Sequence, residues 1–534
     1  MIYDRSPAPA VYHRLQAYPS VRPETSRRRP TALRNVGTGT WPYRRARLSS
    51  DKTAITFRGR ATTYRELDER VTRLAHALRS LGVGSGDRVA LLSTNHPAYL
   101  EALFASGLLN AIFVPLNARL TAPEVEYAMR DSGAAVLIHS EALGEIARSA
   151  AGAATRVVLD GADPEAVGYE ALIAAADSSR IDEPVSHDDP CFIMYTSGTT
   201  GRPKGVVLTH GNIVFSVMNA VIDLDLDSHE TALVCAPLFH TAALDFVALP
   251  TLLKGGNVVI EEGFEPGRIL QVLERERITY TFGVPTMFDA LSAHPAWKAA
   301  DLSAIRRVVV AAAPVPPRTL RTYAERGIKI CQGYGLTETG PGALILTPDD
   351  VERKLGTAGV PHFFTDVRIV DADGREVAPG ERGEIQICGP NVMRGYWNRL
   401  DATADAFTDE RWLRSGDIGV ADADGFVAIV DRLKDLIISG GENIYPAEVE
   451  AAILEMPGVT GCAVFGVPHE KWGEVGCAAV VLDNGYELDH NQLVEFLTPR
   501  LAKYKIPRSL VVIDEIPRNA TGKIRKDRLR SQFA

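Results

Sequence analysis

Apolar residues recur along this chain in two rhythms. Short apolar runs bounded by glycine, proline or polar clusters read as strands at residues 53–57, 88–92, 136–138, 191–195, 233–236, 257–260, 278–282 and 307–310. Between them, apolar positions at helical spacing predict helices at 63–81, 211–220, 265–276 and 318–326. This alternation predicts an α/β fold, a large N-terminal domain of mixed or parallel sheets covered by helices. Ligands then gather at the carboxyl ends of strands. From about residue 356 the helices are expected to stop. Asp371-Ala372-Asp373-Gly374 and Asp422-Ala423-Asp424-Gly425 read as turns between alternating strands, predicting a small β-barrel or curled sheet over 356–431. A final α+β module follows, with helices at 446–454 and 493–501 and strands at 459–465 and 478–482. The expected organisation is an arm at 1–34, a large domain at 35–431, a hinge at 432–434 and a small mobile domain at 435–534.

Composition narrows the class. A chain of 534 residues exceeds what one core organises. Its 46% hydrophobic and 23% charged content is that of a soluble globular protein, and a net charge of −9 argues against a nucleic-acid binder. No apolar run is long enough to span a bilayer. The six cysteines are scattered without a CxxC pair, which suits buried thiols in a reducing cytoplasm. The arm carries Arg5, Arg14, Arg22 and Arg27-Arg28-Arg29 and lacks the apolar segment of a secretory signal. A mobile basic arm or an over-called start codon is preferred there to an organelle transit peptide.

The most informative stretch is Tyr195-Thr196-Ser197-Gly198-Thr199-Thr200-Gly201-Arg202-Pro203-Lys204-Gly205. Its hydroxyls and exposed backbone N–H groups suit phosphate oxygens, its lysine neutralises charge, and its glycines let the backbone come close. It is not a Walker A loop, because Pro203 precedes the lysine and Gly205 follows it. Pro203 also directs the chain into a strand at 206–208 instead of a helix. Two further segments fall at strand ends: Pro237-Leu238-Phe239-His240 and Gln332-Gly333-Tyr334-Gly335-Leu336-Thr337-Glu338. Residues 501–534 hold nine Lys or Arg against three Asp or Glu, a local excess that suits an anionic ligand or a solvated tail equally.

These motifs, in this order, resemble the AMP-forming acyl-CoA synthetases of the adenylate-forming superfamily, from about residue 35 to the C-terminus. The resemblance implies that ATP, Mg²⁺ and CoA are used to activate a small carboxylic acid. Thr196, Ser197, Gly198, Thr199, Thr200, Gly201 and Lys204 would hold the β- and γ-phosphates. Tyr334 would stack on adenine, with Ala313 in the adjoining wall. Thr337 would touch the α-phosphate and Glu338 would help to hold Mg²⁺, a hard cation that prefers oxygen ligands. Asp417, in Trp412-Leu413-Arg414-Ser415-Gly416-Asp417, would accept from both ribose hydroxyls, with Arg432 nearby. Lys523, in Pro517-Arg518-Asn519-Ala520-Thr521-Gly522-Lys523, would bridge the substrate carboxylate and the α-phosphate. His240 would lie near the substrate carboxylate or gate the acyl pocket. Lys434 would be the pivot of a domain rotation that withdraws Lys523 and brings Gly440 and Gly441 to the pantetheine tunnel.

One departure stands out: Ala311-Ala312-Ala313-Pro314 occupies a place where the family usually has Gly-Gly-Ala-Pro, so a narrower or reshaped pocket is expected. The reaction implied is fatty- or aryl-acid–CoA ligation. Alternatives are transfer of the adenylate to a carrier protein, an amine or another nucleophile, or activation of a different oxyanion. A non-catalytic nucleotide-binding relative is disfavoured by the intact Lys204, Glu338, Asp417, Arg432 and Lys523. A homodimer is compatible with this class.

Overall fold

The computed structural model describes residues 35–196, 203–313, 315–439, 442–483, 485–518 and 524–533. The basic arm, Ser197 to Gly201, Gly440, Gly441 and Lys523 lie outside them.

Two large sheets organise the first part of the chain. One has nine strands, in the order Val360–Pro361, Leu344–Leu346, Ile330–Tyr334, Arg307–Val310, Tyr280–Gly283, Thr231–Val234, Asn257–Ile260, Thr53–Phe57, Arg60–Thr63. Its central strands are parallel, and antiparallel pairs close both ends. The other has eight strands: Gly395–Tyr396, Lys204–Thr209, Pro190–Thr196, Ile112–Leu116, Arg88–Leu92, Val136–His139, Thr155–Val158 and Val167–Gly168. A continuous apolar cluster containing Phe104, Phe113, Phe192, Val234 and Tyr280 draws on strands of both sheets and the helices on them. Runs of four or five buried residues, such as Ile112–Leu116, are what a strand covered on both faces requires. The helix Tyr64–Ser80 starts where the sequence indicates, because Thr63 and Glu66 satisfy each other's backbone N–H groups in a capping box.

Residues 366–432 form a four-stranded antiparallel sheet, Asp366–Val370, Arg382–Cys388, Leu413–Ala421, Val427–Arg432, with no ladder joining its two edges among the described residues. The Asp422 turn is a true hairpin: the Asp422 carboxylate accepts from the Asp424 and Phe426 N–H groups. Contrary to expectation, one helix occurs here, Leu400–Ala406. It buries none of its residues, and Leu400 is 89% exposed, so no apolar stripe marks it in the sequence. The final module pairs the long strands Val459–His469 and Gly473–Leu482 and has apolar clusters of its own around Ile437, Val449, Val464 and Leu493. No helix of the described residues is long and apolar enough to cross a membrane. Five cysteines are buried, Cys388 is half-buried, and burial raises the thiol pKa in each, which suits inert thiols.

One buried group carries a stability prediction. Asp245 sits on a π-helical turn, Leu244–Ala248, fully enclosed, and neither carboxyl oxygen has a hydrogen-bond partner among the described residues. Burial pushes its pKa well above the ordinary carboxylate range, so folding favours its protonated form. Unfolding ionises it at any pH above about 4. Because its folded pKa is raised, this group makes the fold less stable as pH rises from the unfolded pKa towards the folded one, by about 1.4 kcal/mol per pH unit. Asp245→Asn removes that penalty. The melting temperature of the variant relative to the native protein is expected to be higher at neutral pH than near pH 5; a constant difference would contradict it.

Candidate active site

The strand Pro190–Thr196 delivers Tyr195 and Thr196 to its carboxyl end, and the chain returns through Lys204, which lies opposite Thr196 in the ladder. The flanks of this loop are braced. Tyr195 donates to Asp131 (2.8 Å), Arg399 pairs with the same carboxylate (3.2 Å), and Tyr127 donates to the Pro203 carbonyl (3.1 Å).

Lys204 Nζ stands 4.1 Å from the centre of the Tyr396 ring, and the Tyr396 hydroxyl donates to Glu338 Oε1 at 2.9 Å. Burial and the neighbouring Glu338 carboxylate both raise the Tyr396 pKa, keeping its proton in place. Sequence reasoning passed over Tyr396, a residue that brings the lysine after the loop and the acidic residue 134 positions later into one cluster. Its only local signal is a two-residue strand, Gly395–Tyr396, set against Val206 and Val207. Thr337 and Glu338 open a 3₁₀ turn directly after the strand Ile330–Tyr334. Gly335 is required between them, since a Cβ there would collide with the Pro341 carbonyl.

The second cluster centres on Asp417, which is 4% exposed. Tyr334 donates to its Oδ2 at 2.7 Å, and Arg432 Nε lies 3.1 Å from its Oδ1. Desolvation, then the adjacent carboxylate, hold the Tyr334 pKa far above its usual value, so this phenol is a fixed donor. A carboxylate has four lone-pair directions, and two remain for further donors. Asp417 and Arg432 are partners in an antiparallel ladder, yet only because a bulge falls at Ile418/Gly419. Carried unbroken from the Ala421↔Val427 pair, the register would set Asp431 against Asp417 and confront two carboxylates. Asp431 instead accepts from the Ala447 N–H at 2.8 Å, joining the strand before Lys434 to the helix Pro446–Leu454. Desolvation of its ammonium lowers the Lys434 pKa, although the side chain reaches solvent, while Asp435 beside it pairs with Arg530.

His240 caps the short helix after the strand Thr231–Val234, its ring against Phe239 at 4.6 Å. Ala312 has φ +73°, a left-handed conformation in which glycine is at ease and alanine is strained by about 1–2 kcal/mol. Ala313 beside it is exposed.

A further residue not anticipated from sequence is Asn391, fully buried. Its amide donates to the Thr339 and Gly342 carbonyls (2.8 and 2.9 Å) and accepts from Thr365 (2.9 Å). Thr365 in turn takes a bond from Asn219 (3.1 Å) on the helix His210–Asp223. Three distant segments thus share one amide.

Residues 43–397 match the AMP-binding enzyme family, and residues 448–523 its C-terminal domain. The chain is 52% identical to a feruloyl-CoA synthase from an Amycolatopsis species, over 94% of this chain and 100% of that one. Among solved structures it is similar to ATP-bound MatB from Rhodopseudomonas palustris (31% identity, TM-score 0.86, 93% of this chain and 99% of that one). It is also similar to the o-succinylbenzoate CoA synthetase of Bacillus subtilis in complex with ATP and a magnesium ion (33% identity, TM-score 0.82, 92% and 98%). The chain belongs to the AMP-binding enzyme family. It is an AMP-forming acid–CoA ligase: ATP converts a carboxylic acid to an acyl-adenylate, and the acyl group then passes to CoA.

Proposed function

We propose that the acid is an aryl acid of the ferulic type, and that the two clusters around Glu338 and Asp417 hold the nucleotide while it is activated. The observation that carries the substrate class is identity of 52% along the full length of a feruloyl-CoA synthase. The geometry supports the roles of Asp417 and Glu338. Asp417, fixed by Tyr334 and Arg432, has lone pairs left for two ribose hydroxyls. Lys204 and the segment Thr196–Gly201 bind the β- and γ-phosphates, and Thr337 faces the α-phosphate.

Glu338 fits a Mg²⁺ site of limited valence. One oxygen accepts from Tyr396, the other remains for a cation, and no cluster of three Asp, Glu, His or Cys suited to a metal occurs among the described residues. Phosphate and water would complete such a site. The cation would offset charge on the phosphate oxygens. Lys523 then neutralises the attacking carboxylate and the α-phosphate as they meet, and rotation about Lys434 brings Gly440 and Gly441 forward for the thiol step.

A panel of aryl and fatty acids, scored by pyrophosphate release and by mass of the product, tests this. Ferulic-type acids are expected to exceed C12–C16 fatty acids in kcat/KM by at least about tenfold, a discrimination of some 1.4 kcal/mol. A preference for fatty acids would refute the substrate class.

A further inference from the structure

Resting on the aryl-acid reading, we propose that His362 and Asp223 form a subsite that recognises a hydroxyl group on the ring end of the acid. The helix His210–Asp223 turns one stripe, Ser216, Asn219 and Asp223, towards two segments of the site. Ser216 donates to the Gly340 carbonyl. Asn219 bonds Thr365 and the Phe364 N–H. Asp223, at the far end, holds His362 Nδ1 at 2.6 Å and accepts from the Phe363 N–H at 3.4 Å.

The His362 side chain is 1% exposed and is wedged between two walls. On one side its ring meets Phe246 at 5.7 Å, six residues beyond His240. On the other, Nε2 lies 2.5 Å from where a Cβ at Gly342 would stand, four residues beyond Glu338. The imidazole therefore fills the space that a side chain at 342 would take. It lies between the segment led by His240 and the segment led by Glu338.

The carboxylate fixes the tautomer. With the proton on Nδ1 facing Asp223, Nε2 of the neutral ring is an acceptor, and a carboxylate behind the ring strengthens it. Among the described residues none hydrogen-bonds Nε2. A phenol, a better donor than an aliphatic alcohol, satisfies this atom. A hydrogen or alkyl chain in its place shuts this acceptor off from water without pairing it, which is costly. In this arrangement His362 contacts the substrate, and Asp223 is a positioning residue acting through it.

The test compares kcat/KM for ferulate and for 3-methoxycinnamate, the same acid without its ring hydroxyl, in the native protein and in His362→Leu, His362→Gln, Asp223→Asn and Asp223→Glu. The native ratio is expected to be about tenfold or more. It should fall near one in His362→Leu and in part in His362→Gln, whose carbonyl still accepts. In Asp223→Asn the KM for ferulate should rise without a matching rise for 3-methoxycinnamate, and Asp223→Glu should recover part of the difference. A native ratio near one, or equal losses for both acids, overturns the subsite and leaves the ligase reading standing. Absence of thioester from every aryl acid in the native protein overturns the aryl-acid reading itself. If His362→Leu does not fold, the ratios in His362→Gln and Asp223→Asn decide.

Discussion

Asp417→Ala is expected to lower adenylation at limiting ATP by about 10²–10³-fold, mainly through the KM for ATP. Two effects combine. The ribose loses its acceptor, and Arg432 and Tyr334 lose the carboxylate they both address at 3.1 and 2.7 Å. Arg432 is left without its partner but is 36% exposed, so solvent offsets much of the roughly 3–5 kcal/mol that breaking a fully buried pair costs. Asp417→Asn keeps the shape and one acceptor, so it should retain more activity. ATP-dependent pyrophosphate exchange across a range of ATP concentrations separates the two variants. An unchanged KM for ATP in Asp417→Ala would remove this residue from the nucleotide site.

Lys523→Ala is expected to lower acyl-adenylate formation by about 10²–10³-fold while leaving conversion of a supplied adenylate to thioester largely intact. Two anions, the acid and the α-phosphate, must approach during the first half-reaction. In the second, a thiol attacks an activated carbonyl and no such repulsion arises. The expected signature is therefore a split between halves, not a uniform loss. Measured exchange equal to that of the native protein would sink the assignment.

Much of the proposed nucleotide cluster can be named from sequence because its information is local. Tyr334 and Glu338 lie in one short segment, and Lys204 and Asp417 in two others, each of a residue type that phosphate or ribose demands. The predicted strands at 88–92 and 307–310 coincide with those observed, being apolar runs between clear breakers. What sequence does not carry is pairing at a distance. The bulge that sets Arg432 and not Asp431 against Asp417 has no residue signature at Ile418-Gly419. Tyr396 matters because its strand docks on Val206 and Val207, almost two hundred residues away in the chain. The helix at Leu400–Ala406 is invisible to periodicity because none of its residues is fully buried. His362 and Asp223 are 139 residues apart and meet only once the helix and the sheet edge are in place. Ala312 shows the reverse: the departure from glycine is visible in sequence, and the structure adds that the alanine sits in a left-handed conformation.

The amide of Asn391 has a wider bearing. It grips the Thr339 carbonyl, one residue past Glu338, and the Gly342 carbonyl, beside the His362 ring, with the same nitrogen. Widening the proposed acid wall at Gly342 to admit a bulkier acid must therefore drag on the turn that carries Glu338. In such an enzyme, breadth of substrate and speed of activation are not separate dials: a lineage that relaxes one would have to retune the other through residues that touch neither ligand.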